Sequence, residues 1–252
     1  MFSGTMAYGW MIGVVFCGCL LLSVSLAAGE GPSLPEDVDR VAEAIHWLGH
    51  DAMRVDAGDV VIYFDPWQLG DDPREADLVL ITHDHRDHCS PEDVEAVCKE
   101  GTEIVTVAAA AKKLPGKTIH EVRPGASLTV KGITVETVPA YNTNKFRSPG
   151  VPFHPKEAGY VGFVITVDGV RIYHAGDTDV IPEMEGLEAD IALIPVSGTY
   201  VMTVEEALEA ARVIGPKLAI PMHVGRGIGS LEDAERFAER SPVPARVLPM
   251  EE

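Results

Sequence analysis

Apolar residues in this chain fall in short blocks broken by turn residues, a rhythm of many strands and few helices. Leu78 to Ile81 is an apolar run of the kind a buried strand makes. Ala52 to Asp56 and Asp59 to Phe64, with a turn at Ala57 and Gly58, predict a hairpin; Gly159 to Val167 and Val170 to His174 predict a second across Asp168-Gly169. Glu103 to Val107, Thr118 to Val122, Ser127 to Val130 and Ile133 to Val138 add strands, the last two joined by a tight turn at Lys131-Gly132. Asp190 to Val196 is continuously apolar, as a strand buried on both faces would be. Leu218 to Pro221 and Ala245 to Leu248 complete the set.

Helix signals are fewer. Ser90 caps a helix predicted over Pro91 to Lys99, with proline at its first position and Glu92 and Asp93 in its first turn. Thr203 and Glu206 have capping-box spacing for a helix that Gly215-Pro216 stops, and a last capped helix spans Ser230 to Arg240.

The first 28 residues stand apart: an apolar block from Trp10 to Leu26 leads into Ala27 and Ala28, with no acid before Glu30. This fits a signal peptide, although the usual positive charge near the start is missing. A membrane anchor is the alternative, since about 17 apolar residues is the short limit for a spanning helix, and a mis-assigned start codon, leaving a cytoplasmic protein, is a third. Residues 29–40 make a polar spacer, and 41–252 carry no composition break, which predicts one domain. Cys89 and Cys98 flank the helix predicted at Pro91; nine residues along one helix span about 13 Å, beyond disulfide reach.

Candidate chemistry concentrates after the Leu78 run, where His83, His85, Asp87 and His88 form HxHxDH on a strand-to-helix loop. Residues two apart in an extended segment point the same way, so His83 and His85 can offer two imidazoles to one ion. Imidazole with carboxylate suits zinc, with manganese or iron as lesser candidates, and the loop can divide its ligands between two ions.

HxHxDH after an apolar strand resembles the signature of the metallo-β-lactamase fold superfamily, and the likeness runs from about residue 44 to 250. Ile45 to Ala52 (IHWLGHDA) and Tyr63 to Trp67 (YFDPW) are similar to the opening segments of the branch containing ascorbate-6-phosphate lactonase and N-acyl phosphatidylethanolamine phospholipase D. Tyr173 to Thr178 (YHAGDT) and Ile220 to Gly225 (IPMHVG) resemble later metal-binding segments.

The resemblance implies an α/β (α+β) four-layer αββα sandwich holding two Zn2+ ions. His83, His85 and His154 would hold one ion, Asp87, His88 and His223 the other, and Asp177 both. The chain has no histidine directly after the Ile133 to Val138 strand, so His154, in the loop from Asn142 to Ala158, is the nearest candidate for the third imidazole, ahead of His120. The implied reaction is hydrolysis of an ester, lactone or phosphodiester by metal-activated hydroxide, which Asp87 would orient or deprotonate. Tyr141, Asn142 and Tyr200 are candidate substrate contacts, as is His50, unless it is only a turn residue. Asp65 either forms an Asp-Pro turn or accepts the second N–H of a ligand imidazole. His174 is expected to be a strand residue.

Charge narrows the partners. Of 252 residues, 20 are basic and 39 acidic, a net −19, which repels nucleic acid and favours a small-molecule substrate. Competing readings on the same scaffold are a di-iron redox enzyme and a non-catalytic metal-binding protein. The apolar N-terminal block makes membrane association a further expectation, and oligomeric state is left open.

Overall fold

A computed structural model describes residues 1–6, 9 and 33–251. The chain divides into two units, Met1–Ser33 and Leu34–Glu252. The apolar block from Trp10 to Leu26, on which the signal-peptide and anchor expectations rest, lies outside the described residues, and no described helix is long and apolar enough to cross a membrane.

The second unit opens with helix α1 (Glu36–Glu43). A first sheet follows, with strands β1 (Ile45–Gly49), β2 (Ala52–Ala57), β3 (Val60–Phe64) and β4 (Ala76–Ile81), then helix α2 (Pro91–Val97), β5 (Cys98–Val107), helix α3 (Ala108–Ala111) and β6 (Thr118–Val122). The chain continues through β7 (Ser127–Val130), β8 (Ile133–Pro139), a small hairpin β9 (Phe146–Ser148) and β10 (Val151–Pro152), β11 (Val161–Val167), β12 (Val170–His174) and β13 (Ile191–Pro195). Helix α4 (Val204–Ile214), β14 (Leu218–Met222) and helix α5 (Leu231–Arg240) close it.

Two six-stranded sheets result, ordered β1-β2-β3-β4-β5-β6 and β14-β13-β12-β11-β8-β7. Strands β3 to β6 run parallel, as do β12 to β14, while the remaining neighbours in each sheet are antiparallel. Parallel strands need cover on both faces. Accordingly β13 and β14 are buried along their whole length, with α4 on β13 and α5 on β14; α3 lies against β5 and β6. The sheets meet through aromatic contacts: the Phe64 ring of β3 stacks on His174 of β12 at 4.8 Å and approaches Phe163 of β11 at 6.4 Å. This is the four-layer αββα sandwich of the metallo-β-lactamase fold.

Two expected elements differ. Helix α2 stops at Val97, because Cys98 is already extended and pairs with Ala76 at the start of β5. Ala245 to Leu248 makes no strand; the segment has one isolated bridge, Ala245 to Ala219, and a second, Met250 to Trp47, lies just past it. The expected capping box forms at Thr203, and the expected cap at Ser230 is a capping box as well.

Strand direction decides where the chemistry gathers. β1 and β3 run with β4, and β8 runs with β12, β13 and β14, so His50, Asp65, His83, Asn142, Asp177, Ser197 and His223 all lie just past the carboxyl ends of strands, in the loops where α/β sheets place ligands. The sheets are tied together at this edge by Val161 N–H donating to the Thr82 carbonyl at 3.2 Å and by reciprocal hydrogen bonds between His50 and the His223-Val224 backbone at 3.0 and 3.1 Å.

Candidate metal centre

The first cluster comprises His83 Nε2, His85 Nδ1, His154 Nε2 and an Asp177 oxygen, all within 4.8 Å of one another. His85 Nδ1 lies 3.1 Å from both His83 Nε2 and His154 Nε2, and Asp177 Oδ2 is 3.1 Å from His154 Nε2. The outer ring nitrogens fix these tautomers. Thr82 Oγ donates its one proton to Asp65 Oδ2 at 2.6 Å, so at 2.9 Å it accepts from His83 Nδ1. His154 Nδ1 donates to Asn142 Oδ1 at 2.9 Å. Both Nε2 atoms therefore present bare lone pairs, and His85 Nδ1 carries too few protons to serve both contacts. Donors bound tetrahedrally at about 2.0–2.1 Å from one ion lie roughly 3.3 Å apart, close to these separations.

The second cluster comprises His88, His223, Asp177 and Asp51, again with donors within 4.8 Å of one another. His88 Nε2 and His223 Nε2 each stand 3.3 Å from Asp177 Oδ1. All three atoms are buried without a hydrogen-bond partner. Their outer nitrogens are held: His88 Nδ1 donates to Asp65 Oδ2 at 2.8 Å and His223 Nδ1 to Ser197 Oγ at 2.8 Å. Buried polar groups are nearly always paired, so this convergence of orphaned lone pairs fits a cation held between them. Asp87 stands at the rim, its Oδ2 3.9 Å from His88 Nε2 and 3.3 Å from His50 Nε2.

Burial drives the pKa of His83 well down, and that of His85 down as well. Burial also disfavours charged His88 and His223, yet the neighbouring carboxylates outweigh it and raise both, Asp177 being the largest of those influences. Conversely, His88, His223 and His154 overcome the burial of Asp177 and hold it well below the usual carboxylate range. One carboxylate is thus surrounded by imidazoles on two sides, an arrangement suited to bridging two cations.

The backbone is strained where these groups emerge. His50, Asp65, Tyr200 and His223 have φ of 54°, 42°, 66° and 60°, in the left-handed region that costs non-glycine residues energy and recurs at functional sites. Beside Asp177, Gly176 has φ of 61°, and a Cβ there would come within 3.0 Å of Thr82.

The structure thus brings His83, His85, His88, His154, Asp177 and His223 together, with Asp87 at their edge and Asp65 behind His88. Asp65 also accepts from Thr82 N–H at 2.8 Å, fixing the β3 exit against the HxHxDH loop. Replacing it by alanine frees the His88 ring; metal affinity is expected to fall by about 10- to 100-fold with the fold intact, measured by competition with a chromophoric chelator.

A cleft of about 470 Å³ opens over this site, lined by His85, Asp87, Arg147, Phe153, His154, Asp177 and Tyr200. Of the candidate substrate contacts, only Tyr200 lines it. His50 is fully buried against His223 and Trp67, Asn142 orients His154, and the Tyr141 hydroxyl donates to Glu183 at 2.9 Å. His174 ends β12 and bonds to the Asp51 carbonyl rather than facing the cleft. His120 sits in β6 and contacts Glu103. Arg147, Phe153, Ser197 and Asp51 are site residues the sequence reading did not single out; an acid within the apolar β1–β2 stretch was the one available signal for Asp51.

A converging set of imidazole and carboxylate donors at the carboxyl edge of an αββα sandwich defines a metallo-β-lactamase-fold metal-dependent hydrolase. The family model described as the β-lactamase superfamily domain matches residues 44–223, and the chain belongs to that superfamily. It is 36% identical over 203 residues to a UPF0173 metal-dependent hydrolase of Methanoculleus marisnigri, covering 77% of this chain and 88% of the relative. Among solved structures, it is similar to a protein of Parabacteroides distasonis assigned as a metal-dependent hydrolase (34% identity, TM-score 0.70, 82% of this chain and 93% of that one). It also resembles Igni18, a metallo hydrolase of Ignicoccus hospitalis (25% identity, TM-score 0.66, 82% and 95%).

Proposed function

We propose that this metal-dependent hydrolase is a dinuclear zinc enzyme that cleaves an ester, lactone or phosphodiester bond in a small molecule. The observation that carries the reading is Asp177, whose two oxygens face two separate groups of imidazole lone pairs. Bound divalent ions would supply Lewis acidity and a water ionised near neutral pH. His83, His85 and His154 would hold one ion, Asp87, His88 and His223 the other, and Asp177 both. Asp87 faces the cleft; despite its burial, His50 keeps its carboxyl below the ordinary range, so it is ionised and able to orient the attacking water and accept its proton.

The cleft also supports a substrate class. Phe153 and Tyr200 form an edge-to-face wall with centroids 4.7 Å apart, and the Arg147 guanidinium lies 5.7 Å from the Phe153 centroid. Among the described residues Arg147 is in no ion pair, and it is the only cation lining the cleft. A substrate with an apolar part and an anionic group satisfies both features. Arg147→Ala is expected to raise KM for anionic substrates about tenfold, roughly 1.4 kcal/mol, and to leave neutral esters unchanged in parallel steady-state assays. The apolar N-terminal block supports export or membrane anchoring for the same enzyme.

The test is metal analysis by mass spectrometry with a panel of phosphodiesters, lactones and esters before and after chelation. Two zinc ions per chain and hydrolysis lost on chelation and restored by zinc support the proposal. Two irons with oxygen-dependent turnover would replace it by the redox alternative.

A further inference from the structure

Asp51 follows His50 in the turn between β1 and β2, and it is fully buried. Neither of its carboxylate oxygens has a hydrogen-bond partner. A carboxylate taken out of water without a partner costs several kcal/mol in real proteins, so its placement needs a physical reason.

Serving as an orienting acceptor for a ligand imidazole does not supply that reason. Asp51 Oδ2 is 3.8 Å from His88 Nδ1, too far for a hydrogen bond, and that N–H already goes to Asp65 at 2.8 Å. The outer N–H of His223 goes to Ser197. His174 Nε2 reaches Asp51, but at the backbone carbonyl, 2.9 Å away, which pins the turn and leaves the carboxylate free. What remains is the second cluster itself: one Asp51 oxygen and one donor atom on each of His88, Asp177 and His223 lie within 4.8 Å of one another.

We infer that Asp51 is a direct ligand of the ion held by His88, Asp177 and His223. The inference rests on the dinuclear reading of the site and deepens it. The two positions are then chemically unequal. The outer one offers three imidazoles and a carboxylate oxygen, a set suited to zinc. The inner one offers two imidazoles and at least two carboxylates, an oxygen-richer set that shifts preference toward Mn2+ or Fe2+.

The test uses the full-length chain, stripped of metal and titrated calorimetrically with Zn2+ and with Mn2+, in wild type and Asp51→Ala, with circular dichroism to verify folding. Wild type is expected to take two Zn2+ per chain. The variant keeps the first at unchanged affinity and binds the second more than about 100-fold more weakly, beyond the 10- to 100-fold range of groups that only support a ligand; its Mn2+ affinity falls further than its Zn2+ affinity. A loss of the second ion of 100-fold or less overturns the assignment. A crystal structure of the Zn2+-loaded wild type decides the matter if the variant does not fold: an Asp51 oxygen at about 2.0–2.2 Å from the inner ion is expected, and a carboxylate outside its coordination sphere overturns it. A wild type that binds a single ion refutes instead the dinuclear reading beneath it.

Discussion

Asp177→Ala is expected to lower kcat/KM by roughly 10⁴-fold or more, about 5.5 kcal/mol of lost transition-state stabilisation. Its Oδ2 is 3.1 Å from His154 Nε2 and its Oδ1 is 3.3 Å from both His88 Nε2 and His223 Nε2, so one truncation opens both donor clusters. The remaining imidazoles then lose the anion that holds two of them above their ordinary pKa, and protonation competes less with metal, but the shared charge that would draw two cations together is gone. Asp177→Asn separates these effects: the amide keeps the shape and one neutral oxygen, so it should retain the first ion through three imidazoles and lose the second. Kinetics paired with metal content per chain measures both. Near wild-type turnover with two bound ions in Asp177→Ala would remove the bridging carboxylate from the argument.

The parts of this site that the sequence made legible are those where chemistry sits next to strong local periodicity. HxHxDH follows a buried run, while Asp177 and His223, each just past a strand, stand out through the resemblance of YHAGDT and IPMHVG to the family's later metal-binding segments. The helix caps at Thr203 and Ser230 are equally local and form as expected. His154 was harder, because the loop before β11 has no period of its own; its role depends on Asn142, twelve residues away, accepting from its N–H and its ring. The sequence points to Asn142 as a substrate contact because nothing local reveals that its side chain turns inward, donating to Asp179 and to the Tyr200 carbonyl. Apolar character alone makes Ala245 to Leu248 resemble a strand, but strand formation is settled by available partners, and among the described residues the segment has one isolated bridge, at Ala245. Asp51 was hidden beside a more conspicuous histidine, and only its lack of any partner in three dimensions marks it.

Metal-free Asp51→Asn is expected to outlast metal-free wild type at pH 8, and the order should reverse once zinc is bound. Burial pushes the Asp51 carboxyl from an ordinary 3.8 up to about 8. Between those values the folded chain keeps a proton that the unfolded chain has already released, so rising pH favours unfolding. The contribution is fully present below pH 3.8 and is lost as pH rises toward 8. At about 1.4 kcal/mol per unit, the window removes roughly 5 kcal/mol from the metal-free wild type. An amide has no proton to exchange there, so the stability difference between the two proteins should swing by that order in favour of the variant between pH 4 and pH 8. Zinc would act in the opposite sense, because an ion that binds only the folded state stabilises it in proportion to the logarithm of its affinity, and a carboxylate ligand would bind it more tightly than an amide. Urea unfolding at a series of pH values, with chelator and with zinc, gives all four curves. If the chelated proteins run parallel from pH 4 to pH 8, Asp51 does not exact this cost in the fold, and its burial needs no metal to explain it.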